Sequence, residues 1–426
     1  MKSVAVVGLG YVGLTTAVGL AQLGHKVLGF DTDASKVSLL SDGKSPIYEE
    51  GMELALGTLI DSKNLNFTNH IEQVADSKPE FIFVCVATPQ DKSGAANLTV
   101  LNSVTSQLSA IAPTDSILVV KSTVPVGTGR ILAELMQRKD VFMASNPEFL
   151  REGTAMRDVA EPDRIVVGAN SPGVAGRVLE LYEGIDCPKI ETSVESSELI
   201  KYAANAYLAM RLSFVNDIAE LSEKTHANVD QVLQGMGMDK RIGTSFLKPG
   251  PGWGGSCFPK DTCALVSIAN TVGANLPLVE TAIASNRAAS DRAVQAIVEL
   301  AGGDLSNKLV AVWGVAFKAH TDDVRDSPAL KIIEALLKHG AVVQAYDPIA
   351  SVPEQTGLSK SSSALQAATG ADVLAILTEW PEFSGVSPEE TTKLMKNSAV
   401  FDARRILPES WRNHASEFRV LGGSSK

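Results

Sequence analysis

A cysteine set among glycines and followed closely by charge is the part of this sequence best equipped for covalent chemistry. In the run Phe246-Leu-Lys-Pro-Gly-Pro-Gly-Trp-Gly-Gly-Ser-Cys-Phe-Pro-Lys-Asp261, Cys257 has Gly252, Gly254 and Gly255 on one side and Lys260 and Asp261 on the other. A thiolate attacks carbonyl carbon well, and an ammonium such as Lys260 favours the ionised sulfur. The three glycines are expected to let backbone come close to a ligand. The competing reading is a buried structural thiol, because free cysteine is among the most buried residue types. The polar, glycine-dense setting favours the nucleophile.

At the other end of the chain, Ser3 to Val7 reads as a buried strand running into Gly8-Leu-Gly10-Tyr11-Val12-Gly13 and then an apolar helix. This is a dinucleotide-binding fingerprint. Gly8 permits the tight turn, Gly10 clears space for a pyrophosphate, Gly13 lets helix and strand pack, and the helix N-terminus offers N–H groups to phosphate. A second apolar strand, Lys26 to Phe30, ends in Asp31, where an acid about 20 residues along should hydrogen-bond the adenosine ribose. Asp31 favours NAD over NADP. Lys36 is either a further cofactor contact or a solvated surface charge.

The elements that must position these groups read as alternating strands and helices. Strands near Val4, Val27, Phe81 to Val86, Ile117 to Val120 and Val141 to Ala144 predict a doubly wound parallel α/β sheet. Ligands then lie beyond the carboxyl ends of the strands, where Thr88-Pro89, Ser122-Thr123-Val-Pro125 and Asn146-Pro-Glu148 fall. Arg164 to Gly168 and Pro188 to Thr192 read as further strands, around a helix near Val174 to Leu181. From Val194 one long helix is expected, with few breakers before Asn228. Lys201 and Asn205 share a face of it; an ordinary exposed pair is the alternative. A second helix, from about Pro277 to Leu300, completes a central helical segment, a common kind of dimer surface.

After Gly302-Gly303 a second α/β unit is expected, with strands Lys308 to Trp313, Ala341 to Tyr346, Val373 to Leu377 and Ala399 to Asp402, and helix Pro328 to His339. Its first turn, Gly314-Val-Ala316-Phe-Lys318, lacks the glycine spacing that admits a pyrophosphate, so it is expected to bind a different nucleotide. Lys318, Arg325 and the pair Arg404-Arg405 are expected at strand ends facing one crevice, where they suit a diphosphate.

Composition narrows the function classes. With 426 residues, 45% hydrophobic and 20% charged, the chain can bury two or three cores. A formal net charge of −11 argues against a general nucleic-acid or acidic-membrane role. The four cysteines and six histidines have no metal-ligand spacing, so no metal is expected. Met1-Lys2 leads straight into the first strand and no apolar run is long enough to span a bilayer, which suits a reduced cytoplasm.

Over essentially its whole length the chain resembles the UDP-glucose / GDP-mannose 6-dehydrogenase family, most closely its bacterial UDP-glucose branch. The motifs that carry this are Gly8-Leu-Gly-Tyr-Val-Gly13, Lys121-Ser-Thr-Val-Pro125, Asn146-Pro-Glu-Phe-Leu-Arg-Glu-Gly153, Lys201 with Asn205, Gly254-Gly-Ser-Cys-Phe-Pro-Lys-Asp261, and Gly314 through Asp326-Ser-Pro328. Asn97, where the family often has aspartate, and Ala319-His320 depart from the pattern without touching the chemistry. The resemblance implies two Rossmann-like doubly wound parallel-sheet domains joined by a long central helical segment. Residues 1–193 would form the NAD-binding domain, 194–302 the helical, dimerising domain with the catalytic cysteine, and 303–426 the UDP-sugar-binding domain.

It also implies oxidation of UDP-glucose to UDP-glucuronate with two NAD reduced in succession, or the same chemistry on GDP-mannose or a UDP-N-acetylhexosamine. Cys257 would be the nucleophile, Lys201 and Asn205 would stabilise an oxyanion, Asp261 and Thr123 would hold a water or take the hydroxyl proton, and Glu148 would assist thioester hydrolysis. Thr88, Glu152, Lys260 and Arg325 would join Asp31, Lys36 and the glycine turn around the cofactor. Glu148, Phe149, Leu150, Lys248, Pro249, Gly250, Pro251, Gly252, Phe317, Lys318 and Arg404 would surround the nucleotide sugar; Arg404 and Arg405 are not separable by sequence. Arg241 resembles an arginine given by a neighbouring subunit, in a homodimer or higher homo-oligomer.

Overall fold

The computed structural model describes residues 1–91 and 94–423. The chain divides into two compact units, residues 1–204 with 263–273, and residues 205–262 with 274–426. One boundary falls within the 32-residue helix Val194–Thr225 and another within helix Phe258–Thr271.

In the first unit an eight-stranded sheet is built from β1 (Ser3–Val7), β2 (Lys26–Phe30), β3 (Leu65–Thr68), β4 (Phe81–Val84), β5 (Ile117–Val120), β6 (Phe142–Ser145), β7 (Ile165–Ala169) and β8 (Lys189–Thr192), in the order β3-β2-β1-β4-β5-β6-β7-β8. β4 and β5 are buried at every position, as expected of a sheet covered on both faces. Val4 and Val6 of β1 join one hydrophobic cluster while Ala5 and Val7 join the other, so the strand's alternation feeds both faces. The order reverses between β1 and β4, which creates a switch point at their carboxyl ends. The first six strands run parallel, as expected, and β7 then pairs antiparallel to β6, with Ser145 opposite Gly168. Adding a Cβ to Gly168 would bring it within 2.5 Å of the Ser193 carbonyl, so this strand needs the glycine where it meets the start of the long helix.

The second unit holds a six-stranded, wholly parallel sheet of β9 (Leu309–Trp313), β10 (Val342–Tyr346), β11 (Leu358–Lys360), β12 (Val373–Ile376), β13 (Ala399–Asp402) and β14 (Glu417–Val420), in the order β11-β10-β9-β12-β13-β14. Its core gathers around Trp313, Phe383 and Trp411, with the Trp313 indole N–H donated to the Ala364 carbonyl at 2.9 Å. Helices Val229–Gly237 and Pro277–Leu300 belong to this unit too. The long helix stops where His226 takes a left-handed φ of 58° and the Ala227 N–H closes back on the Ser222 carbonyl. Asn228 then caps the next helix, accepting from the Gln231 N–H. No helix among the described residues is long and apolar enough to cross a membrane.

Candidate active site

The turn after β1 has the geometry its glycines call for. Gly8 has φ of 91°, and a Cβ there would press on the Cys85 carbonyl at 2.9 Å. A Cβ on Gly13 would lie 1.7 Å from the Gly8 carbonyl oxygen, whereas one on Gly10 would meet nothing within 4 Å. Helix Tyr11–Gln22 starts at Gly10 without a side-chain cap, so its first N–H groups are open to an anion. Asp31, at the end of β2, accepts from the Leu9 N–H at 2.8 Å and from Lys36 Nζ at 2.8 Å. Burial would raise the Asp31 carboxyl, but Lys36 and the backbone donors of Asp33 and Leu9 outweigh it and hold the group below its ordinary range. Open space, an uncapped helix start and an ionised acid fit the pyrophosphate and ribose of NAD. Tyr11 donates to Glu49, which also accepts from the Gly153 and Ala155 N–H groups. Thr88, after β4, donates to the Thr123 carbonyl at 2.7 Å, so two loops named by sequence meet beyond the carboxyl ends of β4 and β5.

The matching turn of the second unit is closed. Asp347, after β10, accepts from the Val315 and Ala316 N–H groups at 2.8 and 3.0 Å and from the Trp380 indole at 3.1 Å. Helix Pro328–Lys338 is capped by Ser327, and a Cβ on Gly314 would lie 2.3 Å from Thr378. The same β-turn-α unit is therefore filled by its own side chains.

Glu148 and Lys201 form a buried ion pair at 2.7 Å, their side chains 6% and 3% exposed. The other Glu148 oxygen accepts from the Leu150 N–H at 2.6 Å. Burial pushes this carboxyl up, yet the Lys201 ammonium, the Leu150 N–H and Lys121 together hold it below its usual range. Phe149 lies under the Arg164 guanidinium, 3.7 Å from its ring centre, with Lys201 Nζ at 5.6 Å. Glu152 is half-buried in the same loop.

One turn beyond Lys201 on the same helix, Asn205 donates to Asp261 at 2.6 Å, and Lys260 pairs with the other oxygen of that carboxylate at 2.5 Å. Asp261 is 1% exposed. Its own N–H bonds the Cys257 carbonyl at 2.9 Å, which makes Cys257 the residue that starts helix Phe258–Thr271. The half-buried thiol thus stands at a helix N-terminus, where unpaired N–H groups favour negative charge on sulfur. Ser256 Oγ lies 3.5 Å from Cys257 Sγ.

The glycines before Cys257 make room for the protein's own chain. A Cβ on Gly254 would lie 2.2 Å from the Asp326 carbonyl oxygen, and one on Gly255 2.8 Å from the Phe317 ring. These two let another stretch of the protein's own chain come close, and Gly255 donates its N–H to the Arg325 carbonyl. A Cβ on Gly252, whose φ is 127°, would touch Asn286 and Ser290. The loop is pinned by residues the sequence reading passed over: Asn216 holds the Gly250 N–H at 2.9 Å, Asn286 both accepts from and donates to Trp253, and Ser290 bonds the Pro251 carbonyl. Lys248 is exposed while Pro249, Gly250 and Pro251 are buried.

Arg404 and Arg405 do not face one crevice. Arg404 donates to the Leu377 and Phe317 carbonyls at 2.7 and 3.0 Å, and a Cβ on Gly250 would come within 3.0 Å of its guanidinium. Arg405 turns to Asp230 and the Leu421 carbonyl. Lys318 Nζ lies 5.5 Å from the Phe317 ring centre; Arg325 pairs with Asp323, and the exposed Arg241 with Asp239.

Residues 2–186, 195–288 and 311–409 match, in turn, the NAD binding, central and UDP binding domains of the UDP-glucose/GDP-mannose dehydrogenase family. UDP-glucose 6-dehydrogenase of Rhizobium meliloti (strain 1021) is 41% identical over 433 residues, covering 98% of this chain and 99% of its own. UDP-glucose 6-dehydrogenase TuaD of Bacillus subtilis (strain 168) is 39% identical over 417 residues, 96% of this chain and 90% of its own. Among solved structures, a UDP-glucose dehydrogenase from the hyperthermophilic archaeon Pyrobaculum islandicum is similar with TM-score 0.91 and 34% identity, covering 100% of this chain and 98% of its own. A UDP-D-ManNAc dehydrogenase from Pyrococcus horikoshii gives 0.88 and 26%, over 98% and 99%.

Proposed function

The chain belongs to the UDP-glucose/GDP-mannose dehydrogenase family, and on that premise we propose that it oxidises UDP-glucose to UDP-glucuronate with two NAD consumed per sugar. The observation that carries the substrate assignment is the near full-length 41% identity to an enzyme named for UDP-glucose. The Gly8–Gly13 turn, Asp31, Lys36, Thr88, Glu152, Lys260 and Arg325 would hold NAD, which would supply the hydride acceptor for both oxidations.

The protein's own groups divide the rest of the work. Thr123 and Asp261 hold a water or take the proton of the C6 hydroxyl, and the first oxidation leaves an aldehyde. Cys257 Sγ adds to the aldehyde carbon, forming a C–S bond and an oxyanion that Lys201 and Asn205 stabilise. Oxidation of that thiohemiacetal gives a thioester. Water, activated by Glu148, adds to the acyl carbon; the C–S bond breaks, the thiolate leaves and the acid is released. Phe149, Leu150, the run Lys248 to Gly252, Phe317, Lys318 and Arg404 hold the nucleotide sugar. The functional division is 1–193 for NAD, 194–302 for the helical segment and 303–426 for the UDP moiety.

A homodimer follows from the same reading. Tyr207, Phe214 and Leu221 recur every seven residues along the long helix and are 57%, 52% and 55% exposed, an apolar stripe suited to a second copy. Arg241, with a side chain 89% exposed, is then available to the neighbouring subunit. The free cysteines among the described residues suit a reducing cytoplasm. The function is tested with limiting UDP-glucose, GDP-mannose and UDP-N-acetylhexosamines in parallel, reading the carboxylate product by mass. Oxidation of UDP-glucose at the highest kcat/KM is expected; a higher value for another sugar overturns the substrate assignment.

A further inference from the structure

Lys121 follows β5, is 9% exposed, and has no part in the proposed reaction as described so far. Its ammonium donates to Asn146 Oδ1 at 3.1 Å and reaches the Asn146 carbonyl at 3.5 Å. Asn146 is fixed on every side. Its N–H goes to the Val120 carbonyl, its side-chain NH2 to the Val166 carbonyl at 2.8 Å, and Tyr182 donates to its Oδ1 at 2.6 Å. Two residues on is Glu148, and Lys121, Asn146, Glu148 and Tyr182 share the wall of one cavity of about 70 Å³, room for a few waters. A buried ammonium is costly unless it serves a charge, and Glu148, in the wall of the same cavity, is the carboxylate that acts on this one.

We propose that Lys121 is a positioning residue for the hydrolytic carboxylate: through Asn146 it anchors the loop that carries Glu148, and it supplies a second buried positive charge that keeps Glu148 ionised during thioester hydrolysis. This rests on the reading of Glu148 as the group that activates water. Lys201 alone would serve poorly, because an ammonium drawn to the developing oxyanion loosens its hold on Glu148. Lys121 sits outside that exchange and leaves Glu148 a constant counter-charge. Other groups face the carboxylate or its cavity. Lys201 comes from the long helix, Cys85 from the end of β4, Tyr182 from the short helix Glu180–Tyr182 beyond β7, Asp158 from helix Ala155–Ala160, and its partner Arg151, with Asp163 and Arg164, from the stretches flanking that helix. Burial lowers the Lys121 ammonium, Cys85 and Glu148 raise it, and Lys201 lowers it further.

The test is a pH profile of kcat for Lys121→Gln, which keeps a donor to Asn146 but removes the charge, with Lys121→Met and Tyr182→Phe beside it. Ionised Glu148 is the active form, so turnover falls as pH drops through its folded pKa. Removing a positive neighbour raises that pKa, and the acid limb of both Lys121 variants is expected to move up by roughly one pH unit. On that limb turnover falls about tenfold. Enzyme carrying a sugar-nucleotide thioester should accumulate in the intact mass, while KM for UDP-glucose and NAD stays within about twofold of wild type. Tyr182→Phe removes a neutral anchor only and should leave the limb where it is. An unmoved limb in both Lys121 variants, or an equal shift in Tyr182→Phe, overturns the proposal. If Glu148→Gln itself accumulates no thioester, the reading of Glu148 fails, a result distinct from the failure of Lys121.

Discussion

Adding one methyl group at Gly10 separates the folding of the N-terminal turn from its cofactor function. Gly10 has φ −74° and ψ −167°, a conformation open to alanine, and a Cβ there meets no atom within 4 Å. The folded protein should therefore lose no more than about 1 kcal/mol, mainly from a poorer helix start, or about 2–4 °C in melting temperature. The methyl would instead fill the space claimed for the pyrophosphate, beside the uncapped N–H groups of helix Tyr11–Gln22. Losing two hydrogen bonds to a charged group, at about 1.5–3 kcal/mol each, weakens NAD binding by roughly 10²–10⁴-fold. Gly13→Ala should behave in the opposite way, because its Cβ would lie 1.7 Å from the Gly8 carbonyl oxygen. Relief requires moving the helix off β1, at about 1–3 kcal/mol or more. NADH fluorescence titration and a thermal melt on each variant read both effects. Unchanged NADH affinity in Gly10→Ala would refute the placement of the pyrophosphate, and a wild-type melt for Gly13→Ala would refute the packing argument.

Three further outcomes are expected. Arg404→Ala should raise KM for UDP-glucose about tenfold or more, while Arg405→Ala, whose partners are Asp230 and the Leu421 carbonyl, should leave KM unchanged and cost about 1 kcal/mol of stability; equal KM effects would undo the distinction. Glu198 accepts from the Gly127 and Gly129 N–H groups, and burial pushes its carboxyl up to about 7 against those donors. The folded state thus holds the proton more tightly than the unfolded chain, so stability falls by about 3 kcal/mol as pH rises from about 4.5 to 7. Glu198→Gln should flatten that part of the melting-temperature profile, and an identical slope would count against the assignment. Gly255→Ala, with φ of 84° and the Phe317 ring 2.8 Å from the added Cβ, should lower both stability and kcat by displacing the loop ahead of Cys257; an unaltered kcat would argue that Cys257 is positioned independently of that loop.

How much was legible in the sequence depended on whether the signal was local. The glycine turn, the long helix and the buried strands β1, β4, β5 and β9 carry their pattern within a few residues. The short strands β3, β11 and β14 went unread, because Leu65–Thr68, Leu358–Lys360 and Glu417–Val420 have little apolar alternation and owe their state to a neighbouring strand. Strand direction has no local signature, so the reversal at β7 was also invisible. The helix that begins at Cys257 was missed despite a legible cue, Pro259 in its first turn. At the site, residue types were readable and partnerships were not. Glu148 meets Lys201 across 53 positions and Asn205 meets Asp261 across 56. Gly254 and Gly255 announced a close approach, but only the fold says that Asp326 and Phe317 are what approaches.

The central claim is that a single sugar carbon loses four electrons through a covalent bond to Cys257. The most direct measurement is the NADH formed per limiting UDP-glucose, for the wild-type enzyme and for Cys257→Ser. Two NADH per UDP-glucose are expected from the wild type and no more than one from the variant, whose oxygen adduct breaks down poorly. One NADH from the wild type, or two from Cys257→Ser, would contradict it.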